Sequence, residues 1–226
     1  MSISTPPPPK KKKSGCGCFG CGCFIVILLI LLLIGLIVAG GYFGYQNAVK
    51  ITSTAPSDVP TFTGGDDIYK TAQQKTSELQ HDVDIHQHAS IHLSADEINS
   101  LIAHDPTLTQ RQDRIFVTFT DNQAQIQGSL PTDSVPLVQN VLKDRYINFD
   151  TTFGLNFDPS TKTININLHH MQIGNVTAPS NALPALQAEM IPFLNMEMQN
   201  TAFMKDLLQQ AKSIEIENGE MVIETK

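Results

Sequence analysis

The chain has no tryptophan, and its four cysteines all fall within the first 23 of 226 residues. Whatever folds beyond residue 23 must therefore hold by packing and hydrogen bonding, without disulfides. The spacings of common catalytic and nucleotide-binding frameworks are missing as well. There is no G-x-S-x-G elbow, no H-E-x-x-H helix and no G-x-x-x-x-G-K-[ST] loop. Asp, Glu and His are scattered over alternating positions, where solubility accounts for them. These absences favour a non-catalytic module with no cofactor, an unrecognised hydrolase being the lesser alternative.

Charge is absent from one long run. Between Phe24 and Tyr45 there is no charged residue, and from Phe24 to Val38 only Gly35 is not strongly apolar. At about 1.5 Å per helical residue the run is long enough to cross a ~30 Å hydrocarbon core. Lys10, Lys11, Lys12 and Lys13 precede it, and Tyr42 and Tyr45 stand where an interfacial aromatic belt belongs. The positive-inside rule then puts the amino terminus in the cytoplasm and the rest outside, a signal-anchor topology. Ala39, Gly40 and Gly41 could satisfy a signal peptidase, but the apolar stretch sits at or beyond the upper end of secretory length. A lipoprotein reading fails because every cysteine precedes the run.

Cys16, Cys18, Cys21 and Cys23 are spaced C-x-C-x₂-C-x-C between glycines. Four thiolates so placed could hold zinc or an iron–sulfur cluster. S-acylation beside a membrane span, or a small-residue spacer, outweighs that reading, since four ligands within eight residues show no second shell. Ahead of the lysines, Pro6 to Pro9 form a short polyproline tail.

Beyond residue 45 the balance is acidic. Of 15 Lys plus Arg and 22 Asp plus Glu, four lysines and no acids precede residue 46, leaving 11 against 22, a balance of −11. Such a domain is unsuited to nucleic acid. Its length suits one core. The expected organisation is a cytoplasmic Pro/Lys/Cys-rich tail over 1–23, a transmembrane helix over 24–45, a Thr/Ser/Pro/Gly linker over 46–65 and an extracytoplasmic domain over 66–226.

Within 66–226 the periodicities alternate between helix and strand. Asp66 and Asp67 open a helix carrying Ile68, Ala72 and Leu79. Val83, Ile85, Ile91 and Leu93 share a parity, predicting a strand whose opposite face carries His86, His88 and His92. Those histidines are candidates for metal binding or pH sensing, against the plainer reading of a solvated face. Ser94 and Glu97 form a capping box that starts a helix burying Ile98, Leu101 and Ile102. Asn99 on it reads as a cap or a buried amide bonded to neighbouring backbone, ahead of a functional role.

Three hairpins follow, turning at Asp121-Asn122, at Asp158 to Lys162 and at Asn218-Gly219. The parity slip at His169-His170 predicts a bulge or bend. Helices are expected over Ser134 to Asp144 and over Asn181 to Ala211, the latter kinked or divided at Pro192. The fold class is thus α+β: one N-terminal transmembrane helix, then an antiparallel sheet with packed amphipathic helices. Phe149, Phe153, Phe157, Met190, Phe193 and Met198 are candidate liners of an acyl-chain groove, the competing reading being an ordinary dry core.

The segments LSADEINSLI (Leu93–Ile102), GSLP (Gly128–Pro131), RYIN (Arg145–Asn148) and SIEIENGEMVI (Ser213–Ile223) resemble a group of uncharacterised single-span bacterial envelope proteins common in Verrucomicrobia-like genomes. The early sheet-and-helix portion is more distantly similar to the YpmS-type exported proteins of Gram-positive bacteria. The resemblance implies a shared fold in the bacterial inner (cytoplasmic) membrane and brings no catalytic residues. The chain departs from the nearer group at Gly174–Pro179, where a tighter turn is usual. Two functions remain open: a binding or scaffolding module that takes lipid or acyl chains, and a subunit that binds an envelope protein partner.

Overall fold

The computed structural model describes residues 50–111, 113–134 and 142–226. The cysteine cluster, the apolar run 24–45 and most of the helix expected over Ser134 to Asp144 lie outside the described residues. Among the described residues no helix is long and apolar enough to cross a membrane.

The domain is α+β. In chain order the elements are α1 (Asp66–Asp84), β1 (Ser90–Ser94), α2 (Ala95–Ala103), α3 (Pro106–Arg111), β2 (Arg114–Thr120), β3 (Gln123–Pro131), a 3₁₀ turn (Thr132–Ser134), β4 (Tyr146–Asp158), β5 (Thr163–Ile173), β6 (Val176–Thr177), α4 (Leu183–Met198), α5 (Ala202–Gln210), β7 (Ala211–Glu217) and β8 (Glu220–Thr225). They make two antiparallel sheets, one ordered β2-β3-β4-β5-β6 and one ordered β1-β8-β7. The smaller sheet lays β7 across β4 of the larger one. Ile214, Ile216 and Ile223 then share a core with Phe153, Leu155, Phe157, Ile164 and Ile166. Each such side chain removed from water contributes roughly 1.5–3 kcal/mol.

All three expected hairpins are present, as β2/β3, β4/β5 and β7/β8. Asn218 and Gly219 both adopt positive φ, 53° and 79°, as a type I′ turn requires. The Gly219 N–H donates to the carbonyl of Asp121 (3.0 Å), so two hairpin tips lock the sheets together. The parity slip is a bulge: Thr152 faces His170 and Phe153 faces Leu168, leaving His169 as the extra residue. At the β4/β5 turn the Asp158 carboxylate accepts from the Ser160 N–H (2.8 Å) and the Ser160 hydroxyl (2.6 Å). Those bonds hold the exposed carboxyl at a pKa of about 2, against an ordinary 3.8.

Two expectations need correction. Residues 83–85 do not begin a strand; α1 runs on to Asp84, and His86 takes the left-handed conformation (φ 57°) that ends it. Val83 completes a helical stripe with Ala72, Thr76 and Leu79, and this buried period-3.6 face wins over the period-2 coincidence of Val83 and Ile85. The long helix also passes through Pro192 and divides instead at residues 199–201.

Both exposed flanks of the large sheet are closed by buried asparagines. Asn99 on α2 donates to the Val117 carbonyl (2.7 Å) and accepts the Val117 N–H (2.8 Å) on the edge strand β2. Asn195 on α4 accepts the Ile164 N–H (2.8 Å) and donates to the Ile164 carbonyl (2.9 Å) on β5, beyond which only the two-residue β6 pairs. A primary amide carries the donor and acceptor of a peptide group, so each asparagine replaces one residue of a missing strand. Gln187 adds a third contact, accepting the Leu168 N–H at 3.2 Å.

Helix α2 starts at the expected capping box: Ser94 Oγ accepts the Glu97 N–H (3.2 Å) and Glu97 Oε2 accepts the Ser94 N–H (2.9 Å). The other carboxylate oxygen pairs with Lys75 of α1 at 2.7 Å, and the same ammonium donates to the His92 carbonyl at 2.7 Å. One lysine thus ties α1 to both α2 and β1.

The stretch expected as a linker is, over residues 51–59, part of the fold. Ser53 and Tyr146 exchange two backbone hydrogen bonds of 2.8 Å. Arg145 donates from Nε to the Thr52 hydroxyl (2.7 Å) and from Nη2 to the Thr52 carbonyl (2.9 Å). Asn148 accepts the Ser57 N–H (3.0 Å) and donates to the Ala55 carbonyl (3.2 Å). Polar residues make this seam, which is why a search for apolar periodicity passes over it. At Gly174 (φ +57°) a Cβ would lie 2.7 Å from the Ile51 carbonyl carbon and oxygen, so glycine is needed for both conformation and approach.

Replacing Asn195 with Leu leaves the Ile164 N–H and carbonyl buried without partners and is expected to cost about 2–4 kcal/mol. A lower urea midpoint at unchanged slope would show it; an unchanged midpoint would refute the edge-closing role. The Asp158 carboxyl, followed by NMR, should titrate near pH 2. Its folded pKa being depressed, the turn's contribution is fully present above the unfolded value near 3.8 and disappears as pH falls through about 2.

Candidate ligand cleft

Five of the six residues expected to line a groove lie in the core. Phe149, Phe153, Phe157, Met190 and Met198 are buried in one continuous cluster, and Phe193 is half-buried on α4. The Phe149 ring lies over Gly128, where a Cβ would overlap it. Between the sheets, beside Phe153 and Leu155, the remaining space is about 30 Å³ and its lining residues are all apolar. That is the scale of one water, far below what an acyl chain requires. The aromatic alternation of β4 is spent on packing the two sheets.

The three histidines do not share one strand, although His88 and His92 both lie close enough to Glu224 to act on its carboxylate. His86 terminates α1, His88 lies in the connection to β1, and of the three only His92 is on the strand, where its Nδ1 meets Glu220 Oε2 at 3.1 Å on the surface. Among the described residues no group of three or more His, Cys, Asp or Glu is gathered as a metal site. Cys16, Cys18, Cys21 and Cys23 fall outside the described residues.

A larger space lies where no sequence motif pointed. A cleft of about 510 Å³ is bounded by the incoming segment Val59, Pro60, Thr61 and Phe62, by α2 and α3 through Ile102, Ala103, Leu108 and Thr109, and by Asp113, Arg114 and Ile115 entering β2. Each wall is held in place by interactions already in the fold. The seam at Ser57 and Asn148 brings Val59 and Phe62 alongside. The buried carboxylate of Asp105 caps α3, accepting from Thr107 N–H (2.7 Å) and Leu108 N–H (3.2 Å), and so presents Leu108. The Asn99 amide, committed to Val117, keeps α2 against β2 and forms part of the floor.

The lining mixes apolar residues with Thr61, Asn99 and Thr109, and Asp113 and the exposed Arg114 lie adjacent at the β2 side. The accessible part of the cleft offers Phe62 and Ala103 as apolar contacts and Arg114 as a polar one, over a floor of buried Ile102, Leu108 and Ile115. Sequence reasoning missed the site because its walls come from three stretches separated by up to about fifty positions, one of them read as linker. Val59 and Phe62, apolar residues with nothing local to pack on, were the available signal.

No protein-family model, curated protein or solved structure matches the chain.

Because the chain has no tryptophan, a single Ala103→Trp substitution places a unique fluorophore at the cleft. Its emission should shift to the blue when a single-chain amphiphile is added, while Thr161→Trp at the remote β4/β5 turn should not respond. Equal responses at both positions would mean non-specific adsorption.

Proposed function

We propose that the protein is a binding module of the bacterial cell envelope, anchored in the inner membrane by residues 24–45, whose extracytoplasmic domain takes the acyl portion of a lipid or similar amphiphile. The observation that supports this reading is the 510 Å³ cleft, whose volume and mixed lining match small-molecule sites. On this reading the ligand contacts are the accessible cleft residues Pro60, Phe62, Ala103 and Arg114 in place of the β4 phenylalanines. The polar groups bordering the cleft serve orientation: Arg114 offers a cation to an anionic headgroup, and Asp113 offers an acceptor.

Native mass spectrometry of the full chain released from detergent is the test. The expected result is one lipid adduct per chain that an Ala103→Glu variant, which puts a charge on the cleft wall, weakens by about tenfold or more, or ~1.4 kcal/mol. Equal adducts in both proteins would place bound lipid around the anchor and return the search to an envelope protein partner.

A further inference from the structure

We infer that the end of the domain bearing Thr52, Arg145 and Gly174 rests against the bilayer holding the chain's own anchor, so that the cleft receives its ligand from that membrane. The inference builds on the anchored reading of residues 24–45 and adds an orientation to it.

Tether length carries the argument. The first residues tied to the large sheet are Ile51 to Ser53, through Gly174 and Tyr146. From Tyr45, the last residue of the expected span, to Ile51 is six steps, a reach of at most about 20 Å even when fully extended. Strand β4 begins at this seam and its thirteen residues extend about 40 Å to Asp158. The tether thus keeps the seam within about 20 Å of the bilayer, while the Asp158 to Lys162 turn, about 40 Å away along β4, is under no such limit. A twenty-residue linker would have permitted any orientation.

Charge acts in the same sense. The segments at this end, 50–59, 132–134, 142–148 and 174–177, contain Lys50, Lys143 and Arg145 against Asp58, Asp133 and Asp144, a balance of zero. The −11 of the exterior part is thus carried entirely by the rest of the domain, and an anionic leaflet repels this end least. The cleft belongs to the same end. Arg114 is paired with Ser129, which is paired with Asn148, and Val59 lies two residues past Ser57, which bonds Asn148. An amphiphile leaving the bilayer surface therefore meets the cleft close to where the domain is tethered.

The experiment uses the full chain in liposomes containing headgroup-nitroxide lipid, with Cys16, Cys18, Cys21 and Cys23 replaced by Ser and one fluorophore attached at a time. Labels at Ala55→Cys and Asn175→Cys should be quenched several-fold more strongly than labels at Thr161→Cys and Glu217→Cys. Inserting about twenty Gly/Ser residues after Asn47, which adds roughly 25 Å of root-mean-square reach, should reduce that contrast. Equal or reversed quenching in protein that floats with the liposomes would overturn the orientation while leaving the anchor intact. Failure of the unlabelled chain to float would overturn the anchor itself, and this inference with it.

Discussion

The close approach of Ile51 to Gly174, and the pairing of Ser53 with Tyr146 beside it, is the constraint from which the rest of the arrangement follows. A peptide segment with little apolar content has been fastened to the start of the longest strand by polar contacts: Arg145 to Thr52, Asn148 to Ala55 and Ser57. Such bonds contribute about 0.5–1.5 kcal/mol each, and more where a charged group takes part. Several in parallel, together with the burial of Thr52 and Val59, hold the segment to the sheet. Once ordered, that segment supplies one wall of the cleft and sets how far the domain stands from residue 45.

The same economy appears at the sheet flanks. Edge strands invite pairing with other chains, and covering them with helices normally leaves backbone groups unmet. Asn99 and Asn195 solve this by presenting a side-chain amide in place of a strand, one from α2 to Val117 and one from α4 to Ile164. The two helices are therefore held by direction as well as by burial. Between the sheets the core is closed, and the larger space lies at its margin, bordered by Ile102, Leu108 and Ile115 of the same core.

Much of this was legible beforehand. The turns at Asp121, Asp158 and Asn218-Gly219, the capping box at Ser94 and Glu97, and the bulge at His169 are local features, each written in a few adjacent residues. Three things were not. Helix α1 outran its expected length because Val83 fits two periodicities, and only burial against the core selects one. Pro192 sits within α4 without ending it. The seam and the cleft were invisible because they join residues about ninety and about fifty positions apart through polar or isolated apolar side chains, which leave no periodic trace. Phe149, Phe153 and Phe157 misled in the opposite sense: a conspicuous aromatic alternation turned out to be core.

The central claim is that the cleft at Phe62, Ile102, Leu108 and Ile115 takes the apolar part of an amphiphile. Methyl NMR of the full chain during titration with a single-chain lysolipid tests it most directly. The account predicts saturable shifts at the methyls of Ile102, Ala103, Leu108 and Ile115, with the methyls of Met190, Met198 and Leu168 unmoved. Shifts centred on Met190 and Met198, or none that saturate, would contradict it.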